Sequence, residues 1–112
     1  MFYYCYNIKT LDLSHFKTPN LQKMDLIFHS RSALISLDIT NFNTTQITDM
    51  HDVFRSCKSL TTLDLSSFDT SNTIKLDNLF YDCNSLTTLD LSNFNTHNLK
   101  YMKSMFINCH SL

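Results

Sequence analysis

Leu63-Asp64-Leu65-Ser66-Ser67-Phe68-Asp69-Thr70 decides the fold, because the chain writes this stretch four times. The other copies are Leu11-Asp12-Leu13-Ser14-His15-Phe16-Lys17-Thr18, Leu37-Asp38-Ile39-Thr40-Asn41-Phe42-Asn43-Thr44 and Leu89-Asp90-Leu91-Ser92-Asn93-Phe94-Asn95-Thr96. They begin at residues 11, 37, 63 and 89, a constant step of 26 residues. A fixed period of this size marks a repeat architecture, in which each unit buries its apolar face against its neighbours.

Working outward from the copy, Leu60, Leu63 and Leu65 form L-x-x-L-x-L. Leu63 and Leu65 share one face of a strand, and Thr62, Asp64 and Ser66 share the other. Such strands, stacked coil on coil, predict a parallel sheet with about 4.8 Å between neighbours. Phe16, Phe42, Phe68 and Phe94 predict an aromatic core stack at the strand's end. After a polar connection the apolar period changes. Met50, Val53, Phe54 and Cys57 stand at i, i+3, i+4 and i+7, one face of a helix. The same positions read Met24, Ile27, Phe28 and Arg31, then Leu76, Leu79, Phe80 and Cys83, then Met102, Met105, Phe106 and Cys109. The spacing predicts short helices over 48–57, 74–83 and 100–109. Asn20, Asn72 and Asn98 are candidate N-caps, and Gln46 breaks that series. The expected fold is an α/β solenoid of about four 26-residue strand–turn–short-helix coils with a parallel sheet on one face. The coils fall at roughly 1–26, 27–52, 53–78 and 79–104, with a partial coil at 105–112, all in one domain. Met1 and Phe2 stand in register with Ile27 and Phe28, so the chain opens and closes inside a coil and is read as a segment of a longer array.

The motif L-x-x-L-D-L-S-x-F-x-T, followed by M-x-x-h-F-x-x-C-x-S-L with h apolar, resembles the 26-residue leucine-rich-repeat variant of BspA-like surface proteins, a unit also filed as an uncharacterised repeat of mycoplasma lipoproteins. The likeness covers essentially the whole chain and implies a leucine-rich-repeat-type solenoid. Arg31, Ala33 and Ile39-Thr40 depart from the pattern. A core-facing Arg31 predicts a local opening or a side chain that snorkels outward. Phe68 and Thr70 stand where an ordinary leucine-rich repeat has Asn or Cys and Leu, so an asparagine ladder is not expected. The resemblance implies a surface-exposed or secreted module that binds host or matrix proteins.

Composition excludes several classes. The net charge is −1, from 9 basic and 10 acidic residues with no basic stripe. Nucleic-acid binding needs clustered Lys and Arg, and a polybasic membrane contact needs the same. No apolar run reaches the length of a membrane span, so no direct membrane insertion is expected. Met1-Phe2-Tyr3-Tyr4-Cys5 lacks the pattern of a signal peptide. Glycine is absent, so Asn and Asp are expected at turns that need positive φ. It also rules out Gly-rich phosphate loops, and no H-E-x-x-H or Ser/His/Asp set is present. Neither catalytic residues nor cofactors nor metal ligands are expected, and the chain is read as non-enzymatic.

Two sets of residues could carry chemistry. Cys5, Cys57, Cys83 and Cys109 recur at one position per coil. Between packed helices about 8–10 Å apart they are too distant for a strain-free disulfide, and they read as small buried apolar residues. Asp12, Asp38, Asp64 and Asp90 form an outward row, flanked by Thr62 and Thr88 on one side and Ser66 and Ser92 on the other. Like charges so close raise each other's pKa, so the row needs hydrogen bonds from its hydroxyl neighbours, a basic partner, or a cation. Asn41 and Asn93 belong to a column that varies between coils and could set specificity. These ten residues form the candidate binding face. Asn43-Thr44-Thr45 is a formal N-glycosylation sequon. The expected function is a non-catalytic, adhesion-type protein-interaction module of a cell-surface or secreted protein. The alternatives are a structural spacer without a ligand of its own, and an intracellular leucine-rich-repeat scaffold in the cytoplasm, which the reduced-looking cysteine pattern favours.

Overall fold

The computed structural model describes residues 7–112. Met1, Phe2 and Cys5, on which the register of the first residues and one cysteine of the column were read, lie outside the described residues. The protein is a small β-rich domain. β1 (Thr10–Asp12) and β2 (Ser36–Asp38) pair in parallel with Thr10 opposite Ser36, Leu11 opposite Leu37 and Asp12 opposite Asp38. Each pair is one 26-residue step apart. Beyond this sheet, Asp49 bridges in parallel to Lys75, and Lys75 to Tyr101, at the same step.

The expected leucine-rich-repeat solenoid with helices does not form. Among the described residues there is no helix, and in place of the expected helices over 48–57, 74–83 and 100–109 a bridge residue is followed by a run of tight turns at 51–56, 77–82 and 103–108. The copies at Leu63–Leu65 and Leu89–Leu91 lie outside any named strand, so among the described residues the expected sheet narrows to two strands. The reason lies in the turn geometry. Met50–Val53 and Phe54–Cys57 are two successive four-residue units whose third residues, Asp52 and Ser56, have φ of 58° and 60°. A positive φ at the third position is the mark of a type II turn. The units place their first and last residues inward. Two in a row therefore yield inward residues at i, i+3, i+4 and i+7, the spacing of one helical face. Cys57 N–H closes the second unit on Phe54 O at 3.1 Å, and Cys83 N–H closes its counterpart on Phe80 O at 3.2 Å.

Helical bonds are replaced by bonds to the next coil. Met50, Asp52, Phe54 and Ser56 donate their N–H groups to the carbonyls of Lys75, Asp77, Leu79 and Tyr81 at 2.7–3.1 Å. Leu76, Asn78, Phe80 and Asp82 donate in the same way to Tyr101, Lys103, Met105 and Ile107. An isolated helix of two or three turns is marginal in water, whereas this arrangement satisfies alternate amides across a packed interface. The expected N-caps have a different task. Asn72 Nδ2 donates to Thr45 O at 2.8 Å and Asn98 Nδ2 to Ser71 O at 2.7 Å, each tying its coil to the one before. Asn20 is exposed in a turn.

One core runs through the stack. Phe28, Phe54, Phe80 and Phe106 lie face to face with centroids 5.6–5.8 Å apart, and the first three are fully buried. The second aromatic column packs beside it: Phe42 lies 6.4 Å from Phe28, and Phe68 6.4 Å from Phe54. Phe42 and Phe68 are buried as expected, Phe94 is half-buried, and Phe16 is 56% exposed. Arg31 neither snorkels nor opens the coil. It is buried, and its Nε has no hydrogen-bond partner among the described residues.

Threonine closes one corner of the coil. Thr44 Oγ1 accepts from Asp69 N–H at 2.8 Å and donates to Asp69 O at 2.9 Å. Thr70 Oγ1 does the same with Asn95, accepting at 2.7 Å and donating at 3.0 Å. Asn43 N–H donates to Thr18 Oγ1 at 2.9 Å. This threonine ladder, one hydroxyl per coil, is the polar counterpart of the phenylalanine stacks.

Candidate binding face

The parallel register of β1 and β2 puts Asp12 directly beside Asp38 on the outward face, and the 26-residue step continues the row to Asp64 and Asp90. Thr62, Thr88, Asp64, Asp90, Ser66 and Ser92 are all exposed. Asp12 and Asp38 are thus neighbours across the two strands, and Asp38 is half-buried.

Each carboxylate holds its own turn. Asp12 Oδ1 accepts from Ser14 N–H at 2.9 Å, Asp38 Oδ1 from Thr40 N–H at 3.0 Å, and Asp64 and Asp90 Oδ1 from Ser66 and Ser92 N–H at 2.8 Å. The Thr40 hydroxyl adds a 2.8 Å bond to Asp38 Oδ1. This is an Asx turn, in which a short carboxylate binds the backbone two residues on. Of the three offsets to like-charge repulsion expected for the row, the one present is hydrogen bonding from the hydroxyl-bearing neighbours. Bonds from the Ser14 hydroxyl and amide hold Asp12 below the usual carboxylate range, and bonds from the Ser66 and Ser92 amides and hydroxyls do the same for Asp64 and Asp90. Only Oδ1 is engaged. The second oxygen of all four carboxylates takes no hydrogen bond among the described residues.

Asn41 and Asn93 lie on the face but spend their amides inside the stack. Asn41 Nδ2 donates to Ser14 O. Asn93 Nδ2 donates to Leu65 O at 3.0 Å and Phe68 O at 2.9 Å. They hold coils together, and the sequence column gave no sign of this.

The side built from the turns carries its own charges. Asp49 Oδ1 accepts from the His51 amide and ring Nδ1 at 2.9 and 2.8 Å, and Lys75 Nζ stands 3.6 Å from Oδ2. Burial opposes the charge on Asp49, but the His51 bonds and the Lys75 ammonium hold its pKa below the usual range. Lys58 pairs with Asp82 at 3.3 Å, and the Arg55 guanidinium lies 4.8 Å over the Tyr81 ring. These pairs cross from coil to coil.

The cysteines sit in the ladder itself, not between helices, so helix spacing is not what keeps them apart. Cys57, Cys83 and Cys109 Sγ donate to Phe28, Phe54 and Phe80 O at 3.1–3.2 Å. All three are free thiols. Burial pushes Cys57 up to about 12 and raises Cys83 and Cys109 as well, so these are weak nucleophiles at neutral pH. No group of three or more His, Cys or Asp side chains converges as a metal site among the described residues. No described helix is long and apolar enough to cross a membrane.

No curated protein and no solved structure matches the chain. A family model described as "Mycoplasma protein of unknown function, DUF285" matches residues 1–112. With its 26-residue period carried through the whole matched length, the chain belongs to the DUF285 family of Mycoplasma repeat proteins.

Proposed function

We propose that this chain is a non-catalytic protein-interaction module of a cell-surface protein, of the adhesion type, and that it meets a basic partner surface with its aspartate row. One observation carries the reading: four carboxylates recur at a 26-residue step, Asp12 directly beside Asp38, each fixed by one oxygen with the other taking no hydrogen bond among the described residues. The lowered pKa values of Asp12, Asp64 and Asp90 favour the charged form of these three carboxylates. Fixed charges of one sign favour a complementary patch and speed its encounter. The likeness of the motif to BspA-like surface repeats supports the same placement outside the cell.

The test is a binding screen with the chain immobilised and soluble host matrix and plasma proteins passed over it. A variant with Asp12, Asp38, Asp64 and Asp90 changed to Asn keeps the Oδ1 acceptor of each turn and removes the charge. We expect a saturable partner that the variant loses and that added salt weakens. A partner bound equally by both forms moves the site off this face. A folded chain without any partner favours a spacer, a reading supported by the use of Asn41 and Asn93 for the stack's own cohesion.

A further inference from the structure

A second surface, away from the aspartate row, has the makings of a ligand site. Thr45, Gln46, Thr48, Asn72, Ile74, Asn98 and Lys100 line an open groove that runs along the stack. The amide nitrogens of Asn72 and Asn98 are committed to the carbonyls of Thr45 and Ser71 in the preceding coil. Both side chains are thereby held in place, with their Oδ1 atoms taking no bond among the described residues. Gln46 and Thr48 add amide and hydroxyl groups, Ile74 supplies an apolar patch 36% exposed, and no carboxylate lines the groove.

The backbone beneath is already used. Thr48 O accepts from Ile74 and Lys75 N–H at 2.8 and 3.3 Å, and Ile74 O accepts from Lys100 and Tyr101 N–H at 2.8 and 3.1 Å. A peptide adding itself as a strand needs free main-chain groups and finds none of these available. What remains is fixed amide oxygens one coil apart, hydroxyl and amide donors beside them, and a small apolar floor. We propose that this groove binds an oligosaccharide, with sugar hydroxyls donating to Asn72 and Asn98 Oδ1 and a ring's C–H face resting on Ile74. The coil step of about 4.8 Å is close to the length of one pyranose unit, so successive acceptors meet successive sugars. Fixing the acceptors before binding lowers the ordering cost of the complex.

The experiment is a printed array of neutral and acidic oligosaccharides probed with the intact chain, followed by amide chemical-shift mapping with the strongest glycan. We expect shifts concentrated at residues 45–48, 72–74 and 98–100. Ile74→Asp, which puts a charge on the floor, and Thr48→Val, which removes a hydroxyl, should each weaken binding at least tenfold. Both leave the Asn72 and Asn98 anchors intact, and backbone shifts elsewhere report that the variants are folded. Binding by no glycan on the array overturns the proposal. So does binding that both variants retain, or shifts that fall on the aspartate face instead. The aspartate-to-asparagine variant should bind glycan normally, which separates this site from the protein-binding one.

Discussion

Leu26 holds φ at 59° in a place where the later coils have Asp52, Asn78 and Ser104. A Cβ-bearing residue other than Asn or Asp pays roughly 1–2 kcal/mol for that region. Leu26→Asn is therefore expected to raise the unfolding free energy by about 1 kcal/mol in urea titration. A loss instead would show that Leu26 makes contacts worth more than its strain. Phe68 is the opposite case, buried at 3% exposure against Phe54 with its backbone unstrained. Phe68→Ala should cost about 3–5 kcal/mol, and a cost under about 1 kcal/mol would mean that the second aromatic column is not core. Both positions were legible in part. The Phe column could be read from its period, and the absence of glycine correctly pointed to Asn and Asp at positive φ. Serine at Ser30, Ser56 and Ser104 and leucine at Leu26 were not foreseen, because single residues signal that region weakly.

The strand copy and the turn half of each coil were unequally legible. Their 26-residue register is written directly in the sequence, and the Asp row follows from it. The helix was not legible as turns, because the apolar spacing of Met50, Val53, Phe54 and Cys57 fits one helical face and two consecutive four-residue turns equally well. The deciding signal was the polar residue at the third place of each four, Asp52 and Ser56, then Asn78 and Asp82, then Ser104 and Asn108. The threonine ladder left no trace in hydropathy, since Thr44 and Thr70 sit in a polar connection yet are buried. Thr70→Val keeps the shape and strands the N–H and C=O of Asn95, so it should cost about 1–3 kcal/mol. Urea unfolding of that variant checks it, and a change below about 0.5 kcal/mol would show the hydroxyl to be idle.

For the whole molecule, titration sets a pH window. Asp12, Asp49, Asp64, Asp69 and Asp90 have lowered pKa values, so the unfolded chain binds protons first in acid and stability falls below about pH 5. His29, lowered chiefly by burial, begins that loss nearer pH 6.5. In alkali the sign reverses. Cys57 stays protonated to about 12 and Cys83 is likewise raised, so above about pH 8.5 the unfolded thiols ionise first and stability falls again. Thermal melts from pH 3 to 11 should therefore peak near neutrality, and replacing Cys57 and Cys83 with Ala should flatten the alkaline limb. An alkaline limb that persists in that variant would assign it to other groups.

The inter-coil bonds have one more consequence, in the time the chain needs to fold. The cross-coil backbone bonds named above join residues about 25 apart, and the threonine and asparagine bonds join residues 25–28 apart. Every coil thus closes a loop of nearly the same size, and closure entropy grows only with the logarithm of loop length. An array of many such coils would carry the same search per coil as a short one, and its relative contact order would fall as it grew. Lengthening such a stack adds cohesion without slowing the first closure, so length can be set by reach alone.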